Sequence, residues 1–199
     1  MLLRLSFTSP FARKVRLAAA VTGLPLDLEA ADTMDPADSM RTQNPLGKIP
    51  ILVTDDGETF YDSRVICAYL DHLAGGGRLV PSEPAARFAT LKLEALADGL
   101  TDAGILILYE SRFRPVERHD DKWLEHQRGK IARTLAVLEA APPPADGPIT
   151  IDKISLACAL GFFDFRYEGA WRADHPKLVA WQAAFAATCP GFAETAPRL

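Results

Sequence analysis

The chain has 199 residues, 48% of them apolar, and its 26 acidic and 22 basic side chains leave a formal charge of -4. That supplies one large core or two modest ones, and the acidic balance offers no basic surface for phosphate backbones, so no nucleic acid partner is expected. Arg4, Arg13, Lys14 and Arg16 break up the apolar N-terminus, and the later run "ISLACALGFF" falls well short of the roughly 20 residues of a spanning helix; neither a secretory leader nor a membrane segment is expected.

"MLLRLSF" is a candidate strand. Pro10 fits a first helical position, and Val15, Leu17, Ala18, Ala19 and Val21 supply apolar positions until Gly23 and Pro25 end the helix. "LDLEA" alternates apolar and acidic residues, the mark of a half-buried strand. After a polar stretch, Ile49 to Val53 and Glu58 to Tyr61 flank "TDDG", a hairpin signal with Asp-Gly in the turn. A helix follows, with Asp62 or Ser63 as N-cap and Val65, Ile66, Ala68, Tyr69, Leu70 and Leu73 as its apolar face.

"GGGRLVPSEP" is the clearest linker, three glycines for flexibility and then two prolines that resist regular structure. Beyond it the strand signals vanish. Residues 85–114 and 118–141 read as long helices, "APPPADGP" as a loop, and 151–165 and 175–188 as further helices. The expected organisation is an α/β domain over 1–77, a linker at 78–85 and an all-α domain over 86–199.

Three stretches carry chemistry. In "FTSPFARKVRLAA", Thr8 and Ser9 precede a basic amphipathic helix, and either hydroxyl is placed to cap it or to meet a ligand. In "NPLGKIPIL", Pro50 removes a ladder donor, which suits an edge position or a cis bond that turns the backbone of Ile49 outward toward an extended peptide. In "YDSRVICAYL", Ser63 and the amides after it suit a carboxylate and Asp62 an amine, the two ends of an α-amino acid, unless both residues only cap. Cys67, Cys158 and Cys189 are scattered and lack C-x-x-C spacing, and His72, His119, His126 and His175 stand far apart. They read as buried thiols of a reducing cytoplasm and as ordinary surface or partly buried imidazoles, with no metal site.

In this order, and followed by a helical half that includes "ACALGFFDFRY", the three stretches resemble the cytosolic glutathione S-transferases, most closely the bacterial Ser-type members. The resemblance covers essentially the whole chain. It implies a thioredoxin-like domain of βαβ-ββα order with a mixed four-stranded sheet, an all-helical second domain, and glutathione as co-substrate. It implies a cis Pro50, Ile49 pairing its backbone with the cysteinyl unit, Asp62 and Ser63 on the γ-glutamyl end with Arg64 adjacent, and Lys48 near the glycyl carboxylate. The catalytic position matches Ser9, with Thr8 as its rival should Ser9 spend its oxygen on capping. Related omega-like members carry Cys there and do disulfide chemistry, which a Ser excludes.

A free thiol with pKa about 8.5 is only about 3 percent ionised at pH 7, and lowering that pKa by two units needs roughly 2.7 kcal/mol. A hydrogen bond to a charged group contributes about 1.5 to 3 kcal/mol and a helix N-terminus roughly 0.3 to 1. One hydroxyl donor plus the helix end therefore suffices, with no general base.

The resemblance also implies a pocket for a small hydrophobic electrophile between the domains, formed here by Phe11, Tyr109, Arg112 and Phe113. The last three fall at i, i+3 and i+4 of one helix, and Arg112 is placed to attract an anionic substrate unless the stripe packs or makes a dimer contact. Trp171 and Trp181 read as part of the helical core. One departure concerns the family's capping box: Thr150 is followed by Ile151, Asp152 and Lys153, so Lys stands where Asp is usual and puts the start of that helix in doubt. A cytoplasmic homodimer active in detoxification is the expectation, with a non-catalytic glutathione-binding or regulatory protein, or an isomerase or dehalogenase, as alternatives. The "S-S-C" run typical of isomerase-type members is replaced here by "T-S-P".

Overall fold

The computed structural model of the chain describes residues 1–198. Strands β1 (Leu2–Leu5), β2 (Asp27–Ala30), β3 (Ile51–Val53) and β4 (Thr59–Phe60) form one sheet in the order β2-β1-β3-β4. β1 pairs parallel with β2, while β3 runs antiparallel to both β1 and β4. The parallel pair needs a crossover, and helix α1 (Pro10–Thr22) provides it. Ser9 caps its start, Pro10 occupies its first turn, and Gly23 closes it in the left-handed region at φ 76°.

α1 is buried nearly all round because it lies against both α3 (Ser63–Leu73) and α6 (Ile151–Arg166). Leu3, Leu5, Val15, Leu17, Ile154 and Leu156 belong to one continuous core that joins the sheet to the helical part. The helical part comprises α4 (Pro84–Phe113), α5 (Asp121–Ala140), α6 and α7 (Pro176–Thr188), with Trp171 and Trp181 buried among them. Among the described residues no helix is long and apolar enough to cross a membrane.

The structure corrects four expectations. All four residues of β2 are exposed rather than half-buried, because β2 is the sheet's edge. The inward stripe of α3 is Ser63, Ile66, Cys67, Leu70 and Asp71, while Val65, Ala68 and Leu73 face solvent. The apolar pattern misled because two inward positions are polar and serve other purposes. A short helix, α2 (Met40–Gln43), interrupts the polar stretch.

The glycine-rich linker, finally, is clamped rather than loose. The Asp71 carboxylate accepts the N–H groups of Gly77, Arg78 and Leu79 at 3.1, 2.9 and 2.7 Å. Leu79 is fully buried, and its carbonyl accepts the N–H of Ile151 at 2.9 Å, so the linker anchors the start of α6. Thr150 makes no side-chain cap there, as the substituted box suggested. α6 nevertheless forms over 16 residues, because Ile151 to Phe163 are all buried and tertiary packing supplies what the cap does not.

Candidate functional site

Two adjoining cavities lie between the sheet and α4. The smaller, about 230 Å³, gathers Lys48, Ile49, Pro50, Asp62, Ser63 and Arg64, all six residues singled out for glutathione, together with Phe11. The loop before β3 is shaped by Asn44, 2% exposed, whose side chain donates to the Lys48 carbonyl at 2.8 Å and accepts the Leu46 N–H at 3.0 Å. The Ile49–Pro50 bond is cis. Ile49 stands outside the β1–β3 ladder, and its N–H and C=O take no backbone partner among the described residues. They are free for an extended peptide.

At the start of α3, Asp62 is the N-cap and accepts the Arg64 N–H at 3.0 Å with one carboxylate oxygen. Ser63 is only 3% exposed, lines the cavity, and makes no side-chain hydrogen bond among the described residues. Arg64 is tethered, its Nε donating to Asp98 Oδ2 at 2.7 Å, and that bond to Asp98 holds the guanidinium above its ordinary value.

Asp98 also closes a buried cluster at the junction of the two halves. Lys14 Nζ, on α1, donates to Glu94 Oε1 at 2.7 Å and to both Asp98 oxygens at 2.9 and 3.1 Å, on α4. Burial favours the neutral amine, yet the facing charges outweigh it and raise Lys14 above its ordinary value. The neighbouring Cys67 would add to this only as thiolate, and burial pushes that thiol far up, so at neutral pH the two carboxylates hold the ammonium. Asp102, one turn beyond Asp98, lines both cavities and is raised by burial and by the Asp98 charge.

The larger cavity, about 560 Å³, is lined by Thr8, Ser9, Phe11, Tyr109 and Arg112. Ser9 Oγ accepts the Ala12 N–H at 3.2 Å, and Thr8 Oγ1 lies 3.0 Å from Ser6 Oγ. Capping occupies a lone pair of Ser9 and leaves its proton free, so the cap and a donated hydrogen bond to a ligand are compatible. Phe113 is outside this lining; it is 52% exposed and packs edge-on against Tyr109 with centroids 5.3 Å apart. It shares the face of Tyr109 but is the last residue of α4, so it lies beyond the end of the cavity.

Sequence reasoning missed Asn44, Asp98 and Asp102, and in the larger cavity Phe162 and Arg166 of α6. The N-P-x-G turn was a usable signal for Asn44, and acids at i and i+4 within a buried stretch of α4 one for Asp98 and Asp102. Nothing local marks Phe162 and Arg166, which reach the cavity only through the packing of α6 on α4.

A mixed four-stranded sheet with a free backbone edge at Ile49, the capped start of α3, a hydroxyl at the start of α1 and a helical half beside them define a thioredoxin-like α/β unit joined to an all-α one. Residues 6–78 match the family model of the glutathione S-transferase N-terminal domain, and residues 121–184 that of the C-terminal domain. The chain is 35% identical over 180 residues to the uncharacterized GST-like protein YibF of Escherichia coli (strain K12), covering 87% of this chain and 88% of that one. A glutathione transferase family member from Pseudomonas fluorescens Pf-5, solved with bound glutathione, superposes with TM-score 0.91 at 41% identity over 100% of this chain and 99% of the other. A glutathione S-transferase from Methylobacillus flagellatus KT with GSH bound gives 0.91 at 37% over 99% of each. The chain belongs to the glutathione S-transferase family.

Proposed function

We propose that the protein is a glutathione transferase that binds glutathione in the smaller cavity and adds its thiolate to a small electrophile held in the larger one. The observation that carries this reading is the free peptide edge of Ile49 beside the unsatisfied Ser63 hydroxyl and the capping carboxylate of Asp62. Those groups match a cysteinyl backbone, an α-carboxylate and an α-amine. Lys48, exposed at the rim, meets the glycyl carboxylate, and Arg64 adds positive charge beside Ser63.

The nucleophile comes with the co-substrate. Burial pushes Cys158 up to about 12 and Cys189 to about 11, and Cys67 higher still, so the chain's own thiols stay protonated and sheltered. Ser9 donates its proton to the glutathione sulfur while its lone pair keeps the cap, and the α1 N-terminus adds its partial positive charge. The thiolate forms the C–S bond, and the electrophile loses its leaving group or takes a proton from water. Exposed Val65 and Leu73 on α3 and Phe88 on α4 support a two-fold dimer, and free, buried cysteines suit a reducing, cytoplasmic setting.

Calorimetric titration with glutathione and turnover of a chromogenic aryl halide test the reading together. Saturable binding with turnover above the uncatalysed rate is expected. Binding without turnover on a panel of electrophiles would shift the reading to a glutathione-binding or regulatory protein, and no binding at all would reject it.

A further inference from the structure

The larger cavity differs from a simple apolar pocket in its cations. Besides Lys48, assigned above to the glycyl carboxylate, Arg112 near the end of α4 and Arg166 at the end of α6 line it. Neither pairs with a carboxylate among the described residues. Nε of Arg166 is buried with no hydrogen-bond partner, an omission that costs free energy unless a ligand supplies an acceptor.

The arrangement is built rather than accidental. The Arg166 guanidinium stacks over the Phe165 ring at 4.7 Å, which fixes its plane, and its terminal nitrogens take no protein partner among the described residues. Tyr167, the next residue, donates its hydroxyl to the Gly104 carbonyl at 2.7 Å and so pins the end of α6 to α4. Burial and then the Arg112 charge hold Arg166 below the ordinary arginine value, so the two guanidinium groups lie close enough to repel each other. The acids that share the lining are otherwise placed: Asp32 accepts the Met34 N–H at 2.8 Å, and Asp102 sits at the junction with the smaller cavity.

Given the transferase reading above, on which this rests, we infer that Arg112 and Arg166 form an anion subsite and that the preferred electrophiles carry a carboxylate or similar anionic group. The apolar walls from Phe11, Ile105, Leu106 and Phe162 hold the body of such a molecule, and the arginines hold its charged end. The substrate class is thus an amphipathic anion rather than a purely hydrophobic compound.

The test compares 4-chloro-3-nitrobenzoate with its uncharged amide, 4-chloro-3-nitrobenzamide. In both, the glutathione thiolate forms the C–S bond at the chlorinated ring carbon and chloride departs, without redox change. Each catalysed kcat/KM is divided by its uncatalysed rate constant, which removes the difference in ring reactivity. The wild type should favour the benzoate by about tenfold, a preference that shrinks with added salt. The two glutathione conjugates, titrated as ligands, should differ in the same direction and by a similar factor.

In Arg112→Ala/Arg166→Ala both ratios should fall to about one, with glutathione affinity unchanged. Arg166→Gln replaces Arg166→Ala should the latter lower the melting temperature. Normal glutathione binding with ratios near one in the wild type overturns this inference alone, as does a preference that survives in the double variant. Absent glutathione binding overturns the transferase reading along with it.

Discussion

The two cavities share Phe11, Lys48, Ile49 and Asp102, yet they are assembled in opposite ways. The smaller takes all but two of its polar residues, Asp98 and Asp102 of α4, from two short runs, 44–50 and 61–64, where turns, a strand edge and a helix start fix backbone N–H and C=O directions before any side chain is chosen. The larger takes its walls from Ser6 to Arg166: the segments 6–11, 31–34 and 47–49 form one side, and side chains of α4 and α6 form the other. A constant ligand is read by backbone, and a variable one by side chains that substitution changes without disturbing the chain path.

The buried cluster at the junction of the two halves, behind the smaller cavity, is where the comparison breaks most forcefully. Lys14→Met removes the cation that Glu94 and Asp98 surround, and stability should fall by about 3 to 5 kcal/mol, because uncompensated carboxylates stay buried. Urea unfolding checks it. Adding Glu94→Leu should recover much of the loss, since Asp98 keeps Arg64. Full stability in Lys14→Met would mean that the cluster does not tie α1 to α4.

Next in size is a change confined to the smaller cavity. Asp62→Ala should weaken glutathione binding by about 10²-fold, from the lost amine contact together with a cap worth about 1 kcal/mol to α3. Asp62→Asn separates the two effects, since it keeps a capping oxygen and loses the charge. About a tenfold loss of affinity at unchanged melting temperature is expected, and equal affinity for Asn and Asp would assign Asp62 to capping alone.

Much of the smaller cavity was legible in the sequence because its parts are local: Pro50 two residues past Lys48, Asp62 beside Ser63, Gly23 and Pro10 bracketing α1. The succession of strands and helices before the linker and the helices past it followed from periodicity for the same reason, whereas the mixed sheet came only with the resemblance. What stayed hidden depended on tertiary packing. Asp71 reads as a surface acid until three linker amides converge on it, Arg166 as the solvated end of α6 until Tyr167 pins that end to Gly104, and Phe113 as a cavity residue until α4 is seen to end with it, past the cavity.

Ser9→Ala then tests whether the α1 hydroxyl serves both the fold and the sulfur. It should cost about 1 kcal/mol of stability through the cap and lower kcat/KM at pH 7 by roughly 10- to 100-fold, the size of a hydrogen bond to a charged group. The donor favours the thiolate, so it lowers the bound thiol's pKa; without it the rise of activity with pH moves to higher pH, and the variants converge in alkaline buffer. Thr8→Ala should leave the profile in place. The reverse result would transfer the role to Thr8, whose oxygen lies against Ser6 rather than a helix amide.

The smallest effects concern the far wall. Tyr109 lines the larger cavity and Phe113 does not, although they stand four residues apart and touch. Tyr109→Ala should change kcat/KM several-fold in a direction set by the electrophile, because the cavity widens and loses an aromatic wall. Phe113→Ala removes a half-exposed ring and should stay within about twofold for every electrophile. Glutathione affinity should move in neither variant, since the smaller cavity contains neither residue. A Phe113→Ala effect as large as that of Tyr109→Ala would mean that the end of α4 folds in over the cavity when substrate binds, bringing both rings against it.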